Sequence, residues 1–171
     1  MAFGTGTHPT TQLCLALTED FFSSKESSKG IRVIDIGCGS GILSIAGLKL
    51  GAEKALGVDI DPDAIRAAGE NASLNGVSDK FELGIGSVAE VQAGKFSIQK
   101  AQLVLANILA PVLVQLLEQG LGELVMLDGW LILSGILAEQ SPEVESALEK
   151  HGFCQVSRCQ MGDWVALAAY R

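Results

Sequence analysis

Apolar positions along this chain follow two rhythms that take turns. From Thr10 to Phe22, Leu13, Leu17 and Phe21 recur at helical spacing behind Pro9, which predicts a helix. Ile31-Arg32-Val33-Ile34-Asp35-Ile36 is a β-branched run that stops at glycines, the pattern of a buried strand. Ile42 to Leu50 predicts a helix closed by Gly51. The alternation continues with a strand at Ala55–Ile60 and a helix at Pro62–Asn75, with Asp61 as its N-cap. Strands follow at Phe81–Ile85 and Leu103–Ala106, then a helix at Pro111–Gln119, a strand at Trp130–Ser134 and a helix at Pro142–Lys150. The last two strands, Cys154–Cys159 and Trp164–Tyr170, meet at Gly162-Asp163, a turn-forming pair. Ser23 to Gly30 is polar and aperiodic, a surface loop.

Strands that alternate with helices and end in a hairpin predict an α/β fold: a mostly parallel seven-stranded sheet with an antiparallel last strand. Ligands of such sheets sit beyond the carboxyl ends of the strands, where the strand order reverses. Functional residues are therefore expected just after strands.

Composition narrows the function classes. A length of 171 residues with 48% apolar and 19% charged side chains excludes disorder and predicts one domain, residues 1–171. The net charge of −8 opposes direct binding to nucleic acid through a basic face. Four cysteines make no disulfide framework, and no secretory segment follows Met1. The apolar stretch Leu121–Leu137 contains Glu123, Asp128, Gly129 and Gly135, so no membrane span is expected there. A soluble, cytoplasmic, acidic protein is the expectation. His151, Cys154 and Cys159 match no zinc spacing, and no metal is expected.

The first strand runs straight into Gly37-Cys38-Gly39-Ser40-Gly41 and then a helix. Glycines permit a tight turn and let a ligand approach the backbone closely. The next strand ends at Asp59, 22 residues after Gly37, where a carboxylate can accept both ribose hydroxyls of an adenosine cofactor. The dinucleotide fingerprint wants a third glycine at Ile42, which this chain lacks. Its pattern is instead Asp35-x-Gly37-x-Gly39-x-Gly41, with an acid inside the strand end. That pattern resembles the first motif of Rossmann-like class I S-adenosylmethionine methyltransferases, in which the acid helps hold the amino acid end of the cofactor.

Further segments are similar to the bacterial methyltransferase family of large-subunit ribosomal protein 11. They are Phe3-Gly4-Thr5-Gly6-Thr7-His8-Pro9-Thr10-Thr11, Val33 to Leu43, Gly57 to Pro62, Ala106 to Ala110 and Leu133-Ser134-Gly135-Ile136-Leu137. The likeness runs in order from Ala2 to about Leu137; beyond that the chain is only compatible with the fold. The resemblance implies S-adenosylmethionine as cofactor and amino groups of a basic ribosomal protein, lysine side chains or the N-terminal α-amine, as methyl acceptors. It implies cofactor contacts at Thr5, Thr11, Asp35, Gly37, Gly39, Asp59 and Asn107, with Asn107 also the catalytic candidate. Oligomeric state is not implied. The family carries a substrate-recruiting domain before its Phe-Gly-Thr-Gly motif, which here begins at residue 3. The expectation is a chain without that domain, with micromolar cofactor binding and weak or absent methylation.

Thr10 and Thr11 stand in a first helical turn, whose N–H groups and hydroxyls suit a carboxylate. The Asn107 amide can accept a hydrogen bond from an attacking amine, the alternative being a cap on the helix before Pro111. Asn107 is followed by Ile108, Leu109 and Ala110, with no aromatic to stack a flat substrate, which favours a flexible aliphatic amine. Where many class members place an acid after the third strand, near the adenine amino group, this chain has Gly86-Ser87, whose hydroxyl can substitute only in part. Deprotonating a lysine amine at pH 7 costs about 4.6 kcal/mol, an α-amine only about 1 to 1.4 kcal/mol. No dedicated base stands out; His8 is expected to order its loop, and Trp130 and Trp164 to be core. Two other readings remain open here: a nicotinamide-dependent oxidoreductase, and a cofactor-binding module without activity of its own.

Overall fold

The computed structural model describes residues 6–170, with the backbone alone at residues 155 and 156. Helix α1 (Pro9–Ser23) begins behind His8 and leads through the polar loop into β1 (Arg32–Ile36). Then come α2 (Ile42–Lys49), β2 (Lys54–Asp59), α3 (Pro62–Leu74) and β3 (Phe81–Ile85). The second half runs α4 (Val88–Gln92), β4 (Ala101–Asn107), α5 (Ala110–Glu118), β5 (Val125–Leu137), α6 (Ser141–Lys150), β6 (Cys154–Met161) and β7 (Trp164–Tyr170). Asp61 caps α3 as expected, its side chain accepting from the Asp63 N–H at 2.9 Å.

The seven strands form one sheet in the order β3-β2-β1-β4-β5-β7-β6. β1 pairs in parallel with β2 on one side and β4 on the other, so strand order reverses at its carboxyl end. β7 slots between β5 and β6 and is antiparallel to both, as the terminal hairpin predicted. Period-two alternation gives the sheet two apolar faces. One face carries Ile34, Ile36, Val104 and Leu133 under α4, α5 and α6; the other carries Val33, Leu103, Leu105 and Ile132 under α1, α2 and α3. Among the described residues, no helix is long and apolar enough to cross a membrane.

Two elements depart from the sequence reading. β5 is longer than Trp130–Ser134 at both ends: at its start because Asp128-Gly129 is not a chain-reversing turn, and at its end because Ile136 and Leu137 pair with Val165 and Trp164 of β7. Asp128 takes a φ of 60° and the pair loops out while β5 keeps its pairing with β4 on either side. The short helix α4 was not anticipated. Its signal is Ser87-Val88-Ala89-Glu90: the Ser87 N–H donates to Glu90 Oε2 at 2.8 Å, which with other backbone bonds holds the Glu90 carboxyl below its usual range.

Candidate active site

The reversal of strand order opens a cavity of about 290 Å³ beyond the carboxyl ends of β1 and β4. The first turn of α1 forms one wall with Thr10 and Thr11, and the loop after β1 another with Gly37, Cys38 and Gly39. Asn107, Ile108 and Leu109 close it from the end of β4, with Gly135 and Trp164 beside them.

The glycine loop needs its glycines. Gly37, Gly39 and Gly41 have φ of 73°, 53° and 76°, a region that other residues enter only at a cost. The loop is anchored to the neighbouring strand by the Gly37 and Cys38 N–H groups, which both donate to the Val58 carbonyl, at 2.8 and 3.0 Å. Asp59, at the end of β2, adds the third anchor: Oδ2 accepts from the Gly39 N–H at 2.9 Å and Oδ1 from the Asp61 N–H at 3.0 Å. Each carboxylate oxygen keeps a further lone pair for a ligand hydroxyl.

Asp35 lies beneath this loop, 1% exposed, on the face of β1 that meets α1 and α2. Its Oδ2 accepts from the Ser44 hydroxyl at 2.9 Å, while Oδ1 has no hydrogen-bond partner among the described residues. Burial pushes its pKa up to about 7, opposed by the hydrogen bonds from Ser44 and reinforced by the charge of Asp59. Burial likewise raises the Cys14 and Cys38 thiols, with Asp35 adding to both, so neither is a thiolate near neutrality.

The first turn of α1 differs from expectation. Its N–H groups are not open to a carboxylate: Thr10 N–H donates to His8 Nδ1 at 3.3 Å, and those of Thr11 and Gln12 to the His8 carbonyl at 3.0 and 3.1 Å. His8 thus caps the helix, and its ring also packs edge-on against Trp164 with centroids 5.1 Å apart. What this turn offers a ligand is the Thr11 hydroxyl and the positive end of the helix.

Of the site residues expected from sequence, the cavity brings together Thr11, Gly37, Gly39 and Asn107 on its walls. Asp59 reaches it through the loop it anchors, and Asp35 sits behind the wall. Thr5 lies outside the described residues. Asn107 is half-buried and does not cap α5, whose N-cap is Leu109. Gly86 and Ser87 follow β3 as expected, with the Gly86 N–H bonded to the Asp59 carbonyl at 3.0 Å.

Trp164 does more than the sequence reading expects. Half-buried like Trp130, it packs against the core face of the sheet and also lines the cavity with Asn107, so the missing aromatic after β4 does not leave the cavity without one. No local signal marks it; the antiparallel pairing Leu137↔Trp164 carries it there from the far end of the chain. Trp130 behaves as expected, packing edge-on against Phe21 at 5.6 Å.

Comparison with known proteins agrees with this architecture. A family model described as ribosomal protein L11 methyltransferase (PrmA) matches residues 1–171. A ribosomal protein L11 methyltransferase of Synechococcus sp. (strain RCC307) is 45% identical over 170 residues, covering 99% of this chain and 54% of the relative. One from Hamiltonella defensa is 44% identical over 171 residues, covering 100% and 52%. The chain thus spans about half the length of these curated relatives. The crystal structure of a ribosomal protein L11 methylase from Lactobacillus delbrueckii subsp. bulgaricus superimposes with a TM-score of 0.80 at 36% identity, over 97% of this chain and 80% of that one. An RNA methyltransferase from Salinibacter ruber, solved with S-adenosyl-L-homocysteine, shares the fold at a TM-score of 0.66 and 20% identity, over 94% and 92%. With the whole length matched by the family model and relatives well above chance identity, this chain belongs to the ribosomal protein L11 methyltransferase family.

Proposed function

We propose that this chain binds S-adenosylmethionine in the cavity beyond β1 and β4 and methylates amino groups of ribosomal protein L11: lysine side chains, the N-terminal α-amine, or both. The observation that carries the reading is the convergence of Thr11, Gly37, Gly39 and Asn107 on one cavity at the switch point of the sheet. Family membership also favours it over the nicotinamide-dependent alternative.

The residues present fit that cofactor. Gly37 is bare where a Cβ would press on Ile108 Cγ2 at 2.9 Å, leaving backbone accessible to a ligand. Asp59 retains acceptor capacity for ribose hydroxyls, and Asp35 carries a buried carboxylate oxygen that lacks a partner among the described residues, suited to a nearby ammonium. When bound, S-adenosylmethionine supplies a methyl group on a positively charged sulfur that leaves neutral.

The chain's own groups then have separable tasks. Thr11 and the positive end of α1 favour a carboxylate. Asp35, charged above pH 7, favours the neighbouring amino group from beneath the loop. Asn107 accepts a hydrogen bond from the incoming amine through its amide oxygen, which turns the nitrogen lone pair inward. Ile108 and Leu43 exclude water around the reacting atoms, and Trp164 offers an aromatic wall to the aliphatic stem of a lysine. Deprotonation of the amine in bulk water, followed by desolvation, needs no further base.

The net charge of −8 suits a basic protein partner and opposes direct nucleic-acid contact. A ribosomal protein substrate supports a cytoplasmic site of action. Incubation with labelled S-adenosylmethionine and unmodified ribosomal protein L11 tests the reading: label on that protein supports it. If calorimetry detects no binding of S-adenosylhomocysteine, the cofactor assignment fails as well.

A further inference from the structure

Ser134 is fully buried on β5, directly across from Asn107 of β4 in the parallel register. It lies on the same sheet face as Ile132, the face covered by α1. There its hydroxyl donates to the Thr10 carbonyl oxygen at 2.9 Å, joining residues 124 apart in the chain. Its own carbonyl accepts from the Ile108 N–H at 3.1 Å. One residue therefore holds two walls of the cavity, the first turn of α1 and the segment that carries Asn107.

This hydroxyl is not needed to satisfy Thr10, whose carbonyl lies inside α1 where the helix ladder supplies a partner. A buried serine is costly unless it is bonded, and an apolar residue would pack against the α1 face more simply. The bond thus fixes a position rather than repairing a deficit.

We propose that Ser134 is a positioning residue: its hydroxyl sets the first turn of α1, and with it Thr11, at the distance from the glycine loop and Asn107 that the amino acid end of the cofactor requires. The proposal rests on the reading that this cavity binds S-adenosylmethionine.

The test compares two ligands by calorimetry on the full chain and on Ser134→Ala. S-adenosylhomocysteine carries the amino acid end; 5′-deoxy-5′-methylthioadenosine lacks it. Ser134→Ala is expected to weaken S-adenosylhomocysteine by about fivefold or more while methylthioadenosine stays within about twofold, the size of one lost hydrogen bond. Ser134→Cys keeps the side chain's shape with a weaker donor, so its loss is smaller but again confined to S-adenosylhomocysteine. It carries the test if the alanine variant does not fold. Equal weakening of both ligands, or no weakening of S-adenosylhomocysteine, overturns the positioning role alone. A natural-sequence chain that binds neither ligand overturns the cofactor reading and this proposal together.

Discussion

Gly135 passes so close to Ile108 that a Cβ built on it would stand 2.8 Å from the Ile108 carbonyl carbon, and nearer still to its oxygen. Gly135 also has a φ of 85°, so a side chain there meets a clash and an unfavourable backbone region at once. The contact keeps β5 against the segment that presents Asn107. Gly135→Ala is expected to lower stability by about 2 kcal/mol or more, since neither the backbone at Ile108 nor the left-handed conformation yields cheaply. Urea unfolding measures this, and an unchanged midpoint would show that the segment moves aside freely.

Asp59 has two roles to lose. It anchors the glycine loop through Gly39 and, in the proposed complex, meets the ribose. Asp59→Ala is expected to weaken cofactor affinity at least tenfold, about 1.4 kcal/mol. Affinity equal to that of the unmodified chain in a titration would remove the ribose role.

Asp35 predicts a pH dependence with a definite sign. Its pKa in the fold is raised from 3.8 to about 7, chiefly by burial. Between those values the folded chain keeps a proton that the unfolded chain has released, so this group's contribution to stability falls as pH rises through the window and levels off above it. Asp35→Asn cannot ionise, and its stability relative to the natural chain should therefore rise from about pH 4 to about pH 8. Urea midpoints of both proteins across that range read the difference, and a flat difference would mean that Asp35 is charged throughout.

Asn107 is the group placed to orient the acceptor amine. Asn107→Ala is expected to slow methyl transfer to ribosomal protein L11 by about 100-fold, the usual scale for one preorganised hydrogen-bonding group. Cofactor affinity should change far less. Single-turnover transfer of label separates the two, and a natural rate would exclude Asn107 from the chemistry.

Much of this is legible in the sequence. Element order followed from apolar periodicity because each helix and strand buries one face of its own local pattern, as in Ile31–Ile36 and Pro62–Asn75. The glycine loop and Asp59 were legible for the same reason: a tight turn after a strand and an acid at the next strand's end are local requirements. The extension of β5 was hidden because Asp128-Gly129 has the local chemistry of a turn, and only pairing with β4 on both sides makes it a bulge. The capping of α1 by His8 was hidden because the geometry of the cap, and not the residue type, decides which N–H groups remain open.

Local sequence thus carries the fold class, the loop after β1 and the candidates Gly37, Gly39 and Asp59, because each depends on neighbours within a few residues or on a short spacing, while Asn107 follows from the family resemblance. Tertiary structure alone decided that Trp164 joins the cavity wall, that Asp35 lies behind it, and that Ser134 ties α1 to the strand beside Asn107. These relations join residues far apart in the chain. They arise when the sheet sets its strand order and presses α1 onto β5, a step that no local pattern encodes.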